Sequence, residues 1–211
     1  MSEVLGELKE TEELGSLSVD ERVAIRQMFS IYTAGTIRDI LLAPDSLAAI
    51  ETVVRAVKKE VKKPFKGYAA RGDELTLRLI NPGDVKKAGT TLTSWDFSAT
   101  AGLDWFESDT NDAALLVPED EGRAYIAFAD PIANPPAIAA QVELDGDLYV
   151  GQTLNFRLVD ADKSPIIKLG APWVLKPRKK YRIQVRYDAT ASDRLTPIGV
   201  RVARASTLLT V

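Results

Sequence analysis

The sequence predicts a mainly β protein: an antiparallel β-sandwich, jelly-roll-like, preceded by an N-terminal helical segment. Three observations carry that expectation. The hydrophobic period shifts near Pro64 from 3.6 residues towards 2. Beyond it, short alternating runs are separated by turn-forming residues at intervals of 8 to 15 positions. No helix-length pattern interrupts those runs, which argues against a parallel βαβ architecture. The chain accordingly divides into an acidic flexible arm at 1–21, a helical segment at 22–63 and a β-sandwich domain at 65–211.

The arm holds seven acids (Glu3, Glu7, Glu10, Glu12, Glu13, Asp20, Glu21) against Lys9, with Leu5, Leu8 and Leu14 as a thin apolar stripe broken by Gly6 and Gly15. Ser18-Val19-Asp20-Glu21 has capping-box spacing, because a hydroxyl at the cap and a carboxylate three residues on can each accept the other's backbone N–H. Val23, Ile25, Met28, Phe29 and Tyr32 then form the expected buried side of a short helix. After Pro44, with Asp45 or Ser46 as cap, Leu47, Ile50, Val54, Val57 and Val61 recur at spacings of three and four and predict a second helix. Pro64, which lacks an amide donor, should end it.

The β region is read from its alternation. Leu75–Leu79, 154–158 and Tyr181–Asp188 alternate cleanly, with Tyr181, Ile183, Val185 and Tyr187 expected inside and Arg182, Gln184 and Arg186 facing water. Weaker strands are expected at 92–99, 114–117, 123–129, 138–144, 166–169 and 198–205. Each sheet is expected to keep one face in solvent.

Composition restricts the chemistry. The 211 residues contain neither cysteine nor histidine, which removes disulfides, thiolate metal sites, thiol nucleophiles and every imidazole-based mechanism. A net charge of −3, from 27 basic and 30 acidic residues, lacks the strongly basic balance of a dedicated nucleic-acid binder. No apolar run is long enough to span a membrane, and Met1 to Glu7 lacks an apolar signal core, so neither a transmembrane segment nor a signal peptide is expected. Asp104, Glu107, Asp109 and Asp112, and separately Glu119, Asp120 and Glu121, read as acidic loops able to offer oxygens to calcium, or simply as solvated turns. No spacing selects a catalytic carboxylate pair, so no enzyme, catalytic residue, metal or cofactor is expected.

Two basic stretches are the candidate interaction residues. Arg55, Lys58, Lys59, Lys62, Lys63 and Lys66 oppose the apolar stripe of the second helix, with Glu60 the lone acid among them. Lys176, Arg178, Lys179 and Lys180 cluster at a turn around Pro177. Either group can attract phosphates, anionic head groups or an acidic protein segment. Trp95, Trp105 and Trp173 are read as core anchors, or alternatively as a stacking platform for sugars.

The rhythm of Gly170 to Pro177, then Tyr181 to Tyr187, then Leu195 to Val200 resembles the β-domains of virion structural proteins, the jelly-roll capsid and decoration proteins of icosahedral viruses and phages. The resemblance is architectural and covers residues 65–211. It implies a capsid shell subunit, made in a host cytoplasm and located in the virion. Self-assembly would run through the sandwich and the N-terminal arm and helix. The implied partners are other copies of the chain and other virion proteins, with nucleic acid or membrane at the basic helix face and no small-molecule substrate. The alternatives are a non-catalytic carbohydrate-binding module and a phage tail or baseplate component.

Overall fold

The computed structural model describes residues 16–33, 35–131, 136–148, 154–156 and 165–208. Most of the expected arm and the second half of the expected strand 154–158 lie outside the described residues.

Three helices come first. α1 (Val19–Tyr32) starts as the sequence predicts: Ser18 Oγ accepts the Glu21 N–H at 3.2 Å and Glu21 Oε2 accepts the Ser18 N–H at 2.9 Å. Ile25, Met28 and Phe29 are buried, but Val23 is 45% exposed, a correction to its expected place inside. α2 (Gly35–Leu42) has no counterpart in the sequence reading. α3 (Pro44–Val61) has Pro44 at its first position, and neither Asp45 nor Ser46 supplies a cap. Asp45 instead meets Lys168 at 2.8 Å, and Ser46 is buried. α3 closes at Lys62, whose φ of 55° is left-handed, two residues before Pro64.

Strand outweighs helix, 41% against 31%, and the named strands pair antiparallel. In chain order they are β1 (Leu75–Leu79), β2 (Lys86–Lys87), β3 (Thr90–Thr91), β4 (Asp96–Ala99), β5 (Gly102–Glu107), β6 (Leu115–Leu116), β7 (Gly122–Ala129), β8 (Ala137–Leu144), β9 (Asp147–Leu148), β10 (Leu154–Asn155), β11 (Ile166–Leu175), β12 (Lys180–Tyr187), β13 (Ala191–Arg194) and β14 (Thr196–Arg204). A first sheet runs β1-β14-β7-β11, and a second runs β10-β8-β12-β5 with β6 on β12 and β9 on β8. Two small ribbons, β13-β4 and β2-β3, complete the described strands. A short helix, α4 (Ala205–Leu208), follows β14.

Two cores organise these layers. The first joins Ile50, Val53, Val54 and Val57 of α3 to Leu75, Leu77, Ala124, Ile126, Val200 and Val202 of the first sheet. The second joins Tyr125, Phe128 and Trp173 of the first sheet to Val142, Tyr181, Ile183 and Val185 of the second. The first sheet is therefore covered on both faces, which corrects the expectation of one solvated face per sheet. Glycine lets the helix approach: a Cβ on Gly122 would lie 2.7 Å from Val53 Cγ1 and 2.9 Å from Val57 Cγ2. Ile126 is the extra residue where the β7–β14 register shifts between Ile198 and Gly199. That bulge puts Ile126 and Ala127 on the helix side in succession.

Candidate functional site

The covered face of the first sheet carries three arginines in a row. Arg78 of β1 pairs in register with Arg201 of β14, and Arg201 with Arg123 of β7. Like charges directly opposite one another destabilise a sheet unless something neutralises them. Three carboxylates do so. Asp84 sits in a 3-10 turn (Pro82–Asp84), Glu121 just before β7 and Glu107 at the end of β5.

Asp84 accepts two hydrogen bonds from Arg78, at 2.5 and 2.7 Å, and one from Arg201 at 2.6 Å. Glu121 accepts from Arg201 at 2.5 Å and from Arg123 Nε at 2.8 Å. Glu107 accepts from Arg123 at 2.5 Å, from the Tyr181 hydroxyl at 2.6 Å, and from the Tyr125 hydroxyl. Arg123 also donates to the Asp84 carbonyl at 2.9 Å. Three cations and three anions thus form one continuous chain that ties both sheets together.

Burial and pairing act against each other on these groups. Burial raises the pKa of Asp84, but the hydrogen bonds of Arg78 and the Asn81 N–H, with the charges of Arg78 and Arg201, outweigh it and leave the carboxyl below its usual range. For Glu107, wholly buried, desolvation wins and its pKa is raised, although Arg123 and the two phenols offset part of it. Burial and then the Glu107 charge push both Tyr125 and Tyr181 well above an ordinary phenol. A carboxylate with both oxygens occupied and no exposed surface cannot meet a substrate. The cluster acts as a clamp.

Sequence reasoning missed this cluster. Asp104 and Glu107, expected in an acidic loop, lie in β5, and Glu121 is buried instead of solvated. Gln184, expected in water, is also buried and accepts a hydrogen bond from Gln141. Arg182 is half-buried, its guanidinium 3.8 Å from the centre of the Trp105 ring. The one available signal is an arginine on each of three strands, which alternation alone does not distinguish from a solvent-facing position. Trp173 is buried, and Trp95 packs partly against the second core. Among the described residues, no group of three or more acids is placed to hold a metal ion.

The two basic stretches come out differently. Lys58 is no surface cation: it is buried, with Nζ 2.9 Å from Glu21 Oε2 and 3.0 Å from the Ser16 carbonyl. Arg55 is half-buried along its own helix, donating to the Glu51 carbonyl at 3.3 Å. Lys63 pairs with Asp73 at 3.7 Å. Arg178 reaches Glu60 of α3 at 2.7 Å, so the two stretches are linked through an acid. Lys179 pairs with Asp145 at 2.7 Å, and the Lys180 N–H donates to the same carboxylate at 3.0 Å. Lys59, Lys62, Lys66 and Lys176 are exposed.

A groove lies elsewhere, along the outer edge of β1, where Leu75 and Leu77 are themselves buried. Leu75 turns its backbone outward, donating to Pro64 O and accepting from Lys66 N, both at 2.9 Å. With a pleat of period two, Leu77 and Leu79 turn theirs the same way. Arg78 covers the Leu79 carbonyl at 3.0 Å. Among the described residues, no backbone group reaches the N–H or C=O of Leu77. A groove of about 370 Å³, lined largely by Met28, Phe29, Tyr68, Leu77 and Leu79, runs beside that stretch. Tyr68 (57% exposed), with Val19 (76%) and Ile31 (60%) of α1, leaves further apolar surface open.

Among the described residues, no helix is long and apolar enough to cross a membrane. No family model matches the chain, and no curated protein matches it either.

Proposed function

We propose that the chain is a self-assembling structural protein, a virion shell subunit whose two sheets form a jelly-roll-like sandwich and whose working parts are surfaces. The observation that supports this most is the apolar groove along the outer edge of β1, where the Leu77 backbone has no backbone partner among the described residues, together with the exposed Tyr68. An open strand edge presents unpaired backbone donors and acceptors, and proteins use such edges to add a strand from another chain. The most highly organised polar groups support the same reading, since the arginine–carboxylate chain stabilises a scaffold and leaves its carboxylates no room for a substrate.

The test is molar mass by light scattering over a wide range of protein concentration, at low and high salt. Species heavier than the 23.0 kDa chain that dissociate on dilution are expected. Tyr68→Glu, an exposed site, should weaken them. A 23.0 kDa particle under every condition overturns the proposal.

A further inference from the structure

A cavity of about 360 Å³ opens where the first turns of α1 meet the end of α3 and the chain that follows it. Its floor is a fixed ion pair. Lys58 Nζ lies 2.9 Å from Glu21 Oε2, and Glu21 also accepts the N–H groups of Ser18, at 2.9 Å, and Phe65, at 3.2 Å. The capacity of Glu21 is thereby taken up. Lys58 keeps some in reserve: an ammonium has three donors, and among the described residues its acceptors are Glu21 and the Ser16 carbonyl. It is 9% exposed, and it lines the cavity, so one N–H is left for a group that enters there.

The walls carry charge of both signs. Asp20 of α1 and Lys66, on the chain after α3, are exposed, and neither side chain has an ionic partner among the described residues. Ser18 Oγ accepts the Glu21 N–H and has its own proton still to donate. Pro64, Ala69 and the ring of Tyr68 supply an apolar side.

We infer that this cavity binds a small zwitterion, an α-amino acid with an apolar side chain. Its carboxylate meets Lys66, the remaining N–H of Lys58 and the Ser18 hydroxyl. Its ammonium meets Asp20, and its side chain lies against Pro64, Ala69 and Tyr68. Charge selects this class. Glu21 and Lys58 cancel each other, which leaves Asp20 to oppose a simple anion and Lys66 to oppose a simple cation. A ligand carrying both charges satisfies both walls, with charge-assisted hydrogen bonds at each end. Size agrees, because the volume is at the small end of the ~300–1,000 Å³ typical of ligand pockets. The inference does not depend on the assembly reading.

The experiment is calorimetric titration of the full chain with L-phenylalanine, with hydrocinnamate, which lacks the ammonium, and with phenethylamine, which lacks the carboxylate. L-Phenylalanine should bind saturably, and each analogue about tenfold more weakly or worse, the loss expected for a missing charged hydrogen bond. Lys66→Ala and Asp20→Ala, both at exposed positions, should each weaken L-phenylalanine by about tenfold. Lys59→Ala, outside the cavity, should leave its affinity unchanged. Absence of saturable binding by L-phenylalanine overturns the inference. So does hydrocinnamate bound as tightly as L-phenylalanine, because the cavity then takes an anion and Asp20 has no part in it. Affinity unmoved by both cavity variants overturns it too, since the ligand then sits elsewhere. Light scattering on the same samples keeps the two ideas apart. A 23.0 kDa particle that binds L-phenylalanine removes the assembly reading alone, and a self-associating chain that does not bind it removes the site alone.

Discussion

Arg78 of β1 faces Arg201 of β14 directly across the first sheet, and the two cations share the carboxylate of Asp84. Two arginines in register without an acid between them would repel. Asp84→Asn should therefore destabilise the fold by about 3–5 kcal/mol, the cost of breaking a buried pair by removing one partner. Urea denaturation at neutral pH reads this. A midpoint matching the parent's would show that the two guanidinium groups reach solvent instead.

The same residue sets a pH dependence with a definite sign. The folded-state pKa of Asp84 lies below its ordinary value, because Arg78 and Arg201 outweigh the burial that would raise it. Its stabilising contribution is present above the unfolded value of about 4 and is lost as pH falls through the folded one. The deficit of Asp84→Asn relative to the parent should thus shrink on acidification. A deficit that holds constant down to strongly acid pH would contradict the assignment.

Asp193 runs the other way. It is buried, and burial raises its pKa although the Arg194 N–H and the Tyr187 hydroxyl partly offset this. A carboxyl raised in the folded state costs stability at neutral pH, and that cost disappears below its unfolded pKa of about 4. Asp193→Asn retains an acceptor for the Arg194 N–H and should be more stable than the parent at pH 7, with the advantage fading at acid pH. Thermal unfolding at both pH values decides it.

Within the basic stretch of α3, adjacent lysines should behave differently. Lys58→Met leaves Glu21 buried without its cation and should cost about 3 kcal/mol, while Lys59→Ala should stay within about 0.5 kcal/mol of the parent. Equal effects in denaturant titrations would mean that the Lys58–Glu21 contact at 2.9 Å contributes nothing to the folded state.

Glycine substitutions should rank by what the new methyl meets. On Gly122 it meets two valine methyls, which can shift, and the cost should be about 1–3 kcal/mol. On Gly199 it meets the Ala124 carbonyl oxygen, which belongs to a paired strand and cannot yield. Gly199→Ala should be the more damaging of the two, measured by soluble yield and melting temperature.

The legible parts of the fold were those where local chemistry decides the outcome. Ser18 and Glu21 form the capping box that their spacing announces, and Leu47, Ile50, Val54 and Val57 bury as their period predicts. Most strands fall where alternation places them. The failures share one cause. Alternation shows that a strand has two different faces, but not whether the polar face meets water or a second layer. Arg78, Arg123 and Arg201 look like solvated positions one strand at a time, and become a single row only when β14 is inserted between β1 and β7. Lys58 was lost to the same limit, because its partners Glu21 and Ser16 lie on a separate helix and its leader.

That insertion of β14 also governs the order in which the chain can fold. Leu75 pairs with Arg204 and Gly122 with Val202, so the strand between β1 and β7 is the last of that sheet's four in chain order. Until β14 leaves the ribosome, β1 and β7 have no common neighbour, two strand edges stay bare and the arginine row cannot close. Contacts this distant in sequence slow folding, and bare edges invite pairing with other chains in the interval. A nascent chain stalled before Thr196 is therefore the species most exposed to aggregation.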